Sequence, residues 1–235
     1  MAKKKEQVQG SVDRFAQHRR HILKKNTAFI VQEAYKSLRT NVRFLLKDSD
    51  HRRFCITSGS AGEGKSITML NLAISIAETG KKVLLIDADL RRPAIARLLV
   101  EEPNPGLSTV LGGMAMLEDT IRKDVYPNLD ILFSGEVPPN PQVLLGSPEM
   151  ENLIEEVSKQ YDYVLVDTPP INVVHDTCVI ANLLDGVLLL VWQDRTSKES
   201  VRRALSNLQM TGANVLGYVL NGTKIESKRY YGYYY

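Results

Sequence analysis

The segment Gly59-Ser60-Ala61-Gly62-Glu63-Gly64-Lys65-Ser66 has the spacing G-x-x-x-x-G-K-S, and that spacing is phosphate chemistry. Its glycines let successive backbone N–H groups curl around an anion, and a helix starting at the lysine adds its positive end. Lys65 is expected to reach the β- and γ-phosphates, and the Ser66 hydroxyl to ligate Mg²⁺. Two aspartate motifs accompany the loop. Val164-Leu165-Val166-Asp167 is an apolar run ending in a carboxylate, placed to hold a Mg²⁺-bound water. Val83-Leu84-Leu85-Ile86-Asp87-Ala88-Asp89 ends in two, and the strand period of two turns Asp87 and Asp89 the same way. Three carboxylates around a phosphate loop are expected to form a metal and base cluster, and the chain to bind a nucleoside triphosphate.

The elements that must position these residues follow from apolar periodicity. Strands are expected over Phe54–Ser58, Lys82–Asp87, Leu129–Ser134, Asp162–Asp167, Gly186–Val191 and Val215–Asn221. Helices are expected over Thr27–Lys47, Lys65–Thr79, Met150–Gln160, Asp176–Leu184 and Lys198–Met210, with Gly80 and Gly212 closing two of them. This alternation predicts an α/β fold: a doubly wound, mostly parallel sheet with helices on both faces. Ligands of such sheets sit at the carboxyl edge, where the phosphate loop and all three aspartates fall. In Thr27–Lys47, Ile30, Val31, Ala34, Leu38, Val42 and Leu45 make one stripe, which leaves Glu33, Lys36 and Arg39 on the opposite face.

Composition narrows the class. At 235 residues, 43% hydrophobic and 24% charged, the chain suits one globular domain with tails. Two cysteines are too few for a disulfide framework. The longest apolar run, Val187 to Trp192, is far below the roughly 18 residues that cross a bilayer. No secretory signal is visible in the basic, polar first 25 residues, so a soluble intracellular protein is expected. The net charge of +3 hides an arm with eight basic side chains against two acidic ones. The body has no basic surplus, which argues against a nucleic-acid-binding domain. His and Cys form no metal-ligand pattern. Five of the ten tyrosines crowd into the last six residues, as Tyr230, Tyr231, Tyr233, Tyr234 and Tyr235.

Together the phosphate loop, the Ile86-Asp87-Ala88-Asp89-Leu90-Arg91 strand end and Val166-Asp167-Thr168-Pro169-Pro170 resemble the three Walker motifs of bacterial tyrosine kinases. These belong to the deviant P-loop ATPases, cousins of the division-site and chromosome-partition ATPases. The resemblance spans about residues 30 to 235 and includes Pro138-Pro139-Asn140-Pro141 and the tyrosine tail. Partition-type relatives carry a signature lysine where this chain has Ser60, which favours the kinases over a partitioning ATPase or a nucleotide-sensing adaptor. The resemblance implies an ATP- and Mg²⁺-dependent protein-tyrosine kinase that modifies its own tyrosine tail and regulates capsular or extracellular polysaccharide synthesis and export.

Further implications attach to single residues. Ser66 and Asp167 would place Mg²⁺, with Asp87 close to the metal and acting as base for the phenol, and Asp89 assisting. A phenol of pKa ~10 is neutral at pH 7, so a base is useful. Asn221 would contact adenine, while Arg91 would pair with a carboxylate or face a neighbour. The family's Glu-x-x-Arg-x-x-Arg ring motif is matched at Glu33, Lys36 and Arg39, with lysine replacing the first arginine. The implied domains are a basic arm 1–26, a kinase domain 27–222 and a tyrosine-rich tail 223–235. The implied partners are further copies in a ring, a separate transmembrane activator and a tyrosine phosphatase, at the cytoplasmic face of the membrane.

Overall fold

In the computed structural model, residues 15–223 are described. Their element order is α1 (Phe29–Leu45), β1 (Arg53–Ser58), α2 (Lys65–Ala77), β2 (Val83–Asp87), α3 (Ile95–Leu99), α4 (Leu107–Leu111), α5 (Leu117–Thr120), β3 (Arg122–Tyr126) and β4 (Leu129–Leu132). Then come α6 (Pro141–Leu145), α7 (Pro148–Ser158), β5 (Tyr163–Asp167), α8 (Asp176–Ala181), β6 (Gly186–Trp192), α9 (Lys198–Met210) and β7 (Val215–Asn221). One sheet runs in the order β3-β4-β2-β5-β1-β6-β7. All pairings are parallel except β3 with β4. This is the expected doubly wound α/β fold.

Two apolar layers form because alternate strand residues face opposite ways. Phe54, Ile56, Leu85, Leu165, Leu188 and Leu190 pack with Met69, Leu70 and Leu72 of α2. Cys55, Leu84, Ile86, Val164, Val166 and Leu189 pack on the other face with Ile154 and Val157 of α7 and Leu208 of α9. Helix α2 is buried almost all round, so its start at Lys65 is fixed relative to the sheet. Gly80 and Gly212, with φ of 79° and 72°, take the left-handed turns expected after two helices.

Besides the short helices α3 to α6, which were not expected, four features differ from expectation. β3 is the antiparallel edge strand Arg122–Tyr126, whose charged Arg122, Lys123 and Asp124 give no strand period. β4 ends at Leu132 because the carbonyls of Phe133 and Ser134 accept from Leu107 N (2.7 Å) and Ser108 N (2.9 Å). Helix α1 is rotated: Val31, Tyr35, Leu38, Val42 and Leu46 face the body, while Ala34 and Leu45 are exposed. Arg39, expected to face away, donates to the carbonyl and hydroxyl of Ser75 on α2. Glu33 and Lys36 do lie at the surface, paired with each other at 2.8 Å.

The fourth difference concerns the basic arm. Ile22 and Leu23 are buried, so the packed body begins before residue 27. Asn71 of α2 holds this segment: its Oδ1 accepts from Leu23 N (2.8 Å) and its Nδ2 donates to His21 O (2.8 Å) and Tyr35 Oη (3.1 Å). Asn71→Ala strands these polar groups in a buried setting, so it should lower stability by about 1–3 kcal/mol. Urea unfolding checks this. An unchanged midpoint would mean that residues 21–23 contribute nothing to the fold.

Candidate active site

The loop between β1 and α2 curls as phosphate chemistry requires. Gly62 and Gly64 have φ of 77° and 92°, conformations that favour glycine. A Cβ on Gly64 would also collide with Asn221 Nδ2, and one on Gly59 would collide with Ser200 Oγ. Ser58 Oγ donates to Ser60 O at 2.7 Å. Lys65 opens α2 with only 7% of its surface exposed. Gly59, Ser60, Ala61, Gly62, Glu63, Gly64, Lys65 and Ser66 therefore form one continuous cradle at the carboxyl edge of the sheet.

Asp87 and Asp167 end neighbouring strands and are direct register partners. Both are fully buried. Asp87 Oδ2 accepts from the N–H groups of Ala94 (3.2 Å) and Ile95 (3.1 Å). Asp87 Oδ1 and both oxygens of Asp167 have no hydrogen-bond partner. Burial pushes the Asp167 carboxyl up to about 7, partly offset by the Lys65 charge. Burial, then the Asp167 charge, holds Asp87 well above the usual carboxylate range.

Three orphaned carboxylate oxygens in a buried site call for a cation. Their hardness and small number fit Mg²⁺, which takes one or two carboxylates and completes its shell with water and phosphate oxygens. Asp89 Oδ1 accepts from Arg92 N at 3.0 Å, and its charge still bears on both Asp87 and Asp167. Among the described residues no group of three acidic, His or Cys side chains makes a metal cage, so the two strand-end carboxylates are the ones left for a cation. Asp89 still feels the Lys65 charge, but burial dominates and raises its pKa.

Arg91 pairs within its own chain, with Nε 2.7 Å and Nη2 3.0 Å from the two oxygens of Asp176. Asp176 is fully buried at the start of α8, so the fork fixes the turn after Asp89 against that helix. Asn221 reaches the phosphate loop, but its amide is engaged: Nδ2 donates to Glu63 O (2.9 Å) and Oδ1 accepts from Gly222 N (2.9 Å). Sequence reasoning missed Asp176, which holds Arg91, and Thr196, whose hydroxyl donates to Glu63 Oε1 in the phosphate loop. The adjacent His175-Asp176 pair was a faint signal for the first, and nothing local marks the second. Tyr230, Tyr231, Tyr233, Tyr234 and Tyr235 lie outside the described residues.

Residues 52–211 match the family AAA_31, described as an AAA domain. The tyrosine-protein kinase YwqD of Bacillus subtilis (strain 168) is 41% identical over 202 residues, covering 86% of this chain and 85% of that protein. The crystal structure of the chimerical protein CapA2B2 superposes with a TM-score of 0.81 at 33% identity, covering 86% of this chain and 88% of that one. The septum site-determining protein MinD from Pyrococcus horikoshii OT3, complexed with Mg-ADP, has a TM-score of 0.62 at 27% identity, covering 72% and 69%. On this fold, with this phosphate cradle and this similarity along most of its length, the chain belongs to the bacterial tyrosine-protein kinases.

Proposed function

We propose that the chain transfers the γ-phosphoryl group of ATP to tyrosine hydroxyls, first those of Tyr230, Tyr231, Tyr233, Tyr234 and Tyr235, in the control of capsular or extracellular polysaccharide synthesis. The observation that carries this reading is the pair Asp87 and Asp167, buried with unpartnered oxygens beside a phosphate cradle. The phenol oxygen attacks the γ-phosphorus, the bond to the β–γ bridging oxygen breaks, and ADP leaves. Lys65 meets the charge that gathers on the phosphate oxygens. Asp87 is anchored through Oδ2 by two backbone amides, which leaves Oδ1 to accept the phenol proton. Burial and the Asp167 charge raise its pKa by penalising the ionised form, and a cation at the site would favour that form. Ser66, Asp167 and Asp87 would hold Mg²⁺, which when bound neutralises charge on the β- and γ-phosphates.

Labelled ATP with Mg²⁺, followed by peptide mapping, tests the assignment. Label should appear on tail peptides of the full chain and vanish from a chain lacking residues 230–235. ATP hydrolysis without any labelled tyrosine would overturn the kinase reading. The carboxylates add a pH dependence. A proton on Asp167 must leave before a cation can bind, and burial raises its pKa to about 7, so Mg²⁺ should bind more weakly at pH 6 than at pH 8. Activity titrated with Mg²⁺ at pH 6 and pH 8 checks this, and equal midpoints would remove Asp167 from the metal shell.

The same reading carries its partners. Exposed Glu33 and Lys36, with Arg39 anchored to Ser75, give α1 a polar ridge that can meet a neighbouring copy in a ring. No helix among the described residues is long and apolar enough to cross a membrane. A separate transmembrane activator would recruit the chain to the inner membrane face. A tyrosine phosphatase would reset the tail.

A further inference from the structure

We propose that Glu63 is a positioning residue that ties the shape of the phosphate loop to the corner between β6 and α9, so that nucleotide binding is relayed to Trp192. The inference rests on the nucleotide-site reading above. Glu63 sits inside the loop, only 3% exposed. Its Oε2 accepts from Ser60 N at 3.1 Å, which closes the loop on itself. Its Oε1 accepts from the Thr196 hydroxyl, and its backbone carbonyl accepts from Asn221 Nδ2 at 2.9 Å. One residue therefore touches the phosphate loop, the β6–α9 corner and the tip of β7.

The corner is built to follow it. Thr196 Oγ1 also accepts from Trp192 N at 2.8 Å, and Thr196 N donates back to Trp192 O at 2.9 Å. The Trp192 indole lies against Gly222, where a Cβ would collide with Nε1. Arg195 stacks over the ring, 5.3 Å from its centre. None of the described ion pairs includes Glu63. A buried carboxylate beside a phosphate cradle opposes the incoming anion, and here hydrogen bonds rather than a cation hold it in place. Phosphate drawing on the Ser60 amide competes with Glu63, and any shift of Glu63 pulls on Thr196.

Trp192 is the chain's single tryptophan, so its fluorescence reads this corner directly. Wild type titrated with Mg-ADP should change Trp192 emission at saturation. Thr196→Val removes the donor to Glu63 and should weaken ADP by about tenfold or more and abolish the emission change. Thr196→Ser keeps the hydroxyl and should restore both. Glu63→Gln combined with Thr196→Val should bind no more weakly than the worse single variant, because both break the same contact. A merely structural role would lower the melting temperature of Thr196→Val yet leave its emission change intact. That result, or wild-type ADP affinity in Thr196→Val, overturns the proposal. Failure of the wild-type chain to bind labelled ADP in equilibrium dialysis is a separate outcome: it would bring down the nucleotide reading, and this inference with it.

Discussion

Lys65→Met should cut tyrosine transfer by about 10²–10³-fold while leaving the fold in place. Lys65 is 7% exposed at the first turn of α2, where its ammonium completes the positive end of the phosphate cradle. Removing one preorganised charge that meets the developing transition state costs about 2.7–4 kcal/mol. Methionine keeps an unbranched stem of similar length, so the packing of α2 on the sheet should survive and the far-ultraviolet circular dichroism should match wild type. Transfer above a tenth of the wild-type rate would show that Lys65 does not act on the phosphates. The same variant tests how the tail is reached. Mixed with a chain lacking residues 230–235, it should be labelled by its partner if neighbours present their tails to each other. No label in that mixture, with wild type labelling itself, would mean transfer within one chain.

What the sequence makes legible here is what is local. The phosphate loop is eight consecutive residues, and of the two glycines its spacing requires, Gly64 takes a left-handed conformation that favours glycine, as does Gly62 between them. Asp87 and Asp167 each follow an apolar run, and a parallel sheet with adjacent strand tips brings them into register. Contacts that close over long stretches of chain left little trace. Glu63 and Thr196 are 133 residues apart, and Arg91 and Asp176 are 85 apart. Periodicity failed for a different reason at α1. Phe29, Phe44 and Leu45 are exposed there, so the helix offers two apolar faces, and the buried one was chosen by what α2 presents. Tyr35 and Arg39 turn inward because Asn71 and Ser75 supply their polar partners. β3 was invisible because an edge strand facing solvent needs no apolar alternation.

Asp167→Asn should be inactive yet more stable than wild type when no nucleotide is present. Asp167 is fully buried, its oxygens have no hydrogen-bond partner, and its pKa is raised from 3.8 to about 7. The native state therefore holds its proton to higher pH than the unfolded chain does. Across the window from about pH 4 to pH 7 the native state binds more protons, so stability falls as pH rises. Above about pH 7 the buried, unpartnered charge weighs on the empty fold, a burden it shares with the neighbouring Asp87. Its cost is on the order of a few kcal/mol, or several degrees in melting temperature for a chain of this size. Asparagine removes the charge and with it the penalty, so the variant should melt well above wild type at pH 8 and close to it at pH 4. Saturating Mg-ADP should then narrow the gap at pH 8. Wild type gains about 2.7 kcal/mol at a ligand concentration 100 times its Kd, whereas the asparagine variant cannot complete the metal shell and gains less. Melting curves at two pH values, with and without Mg-ADP, decide the matter. If Asp167→Asn melts below wild type at pH 8 without nucleotide, the buried carboxylate is stabilising the empty fold, and the strain assigned to the metal site is not there.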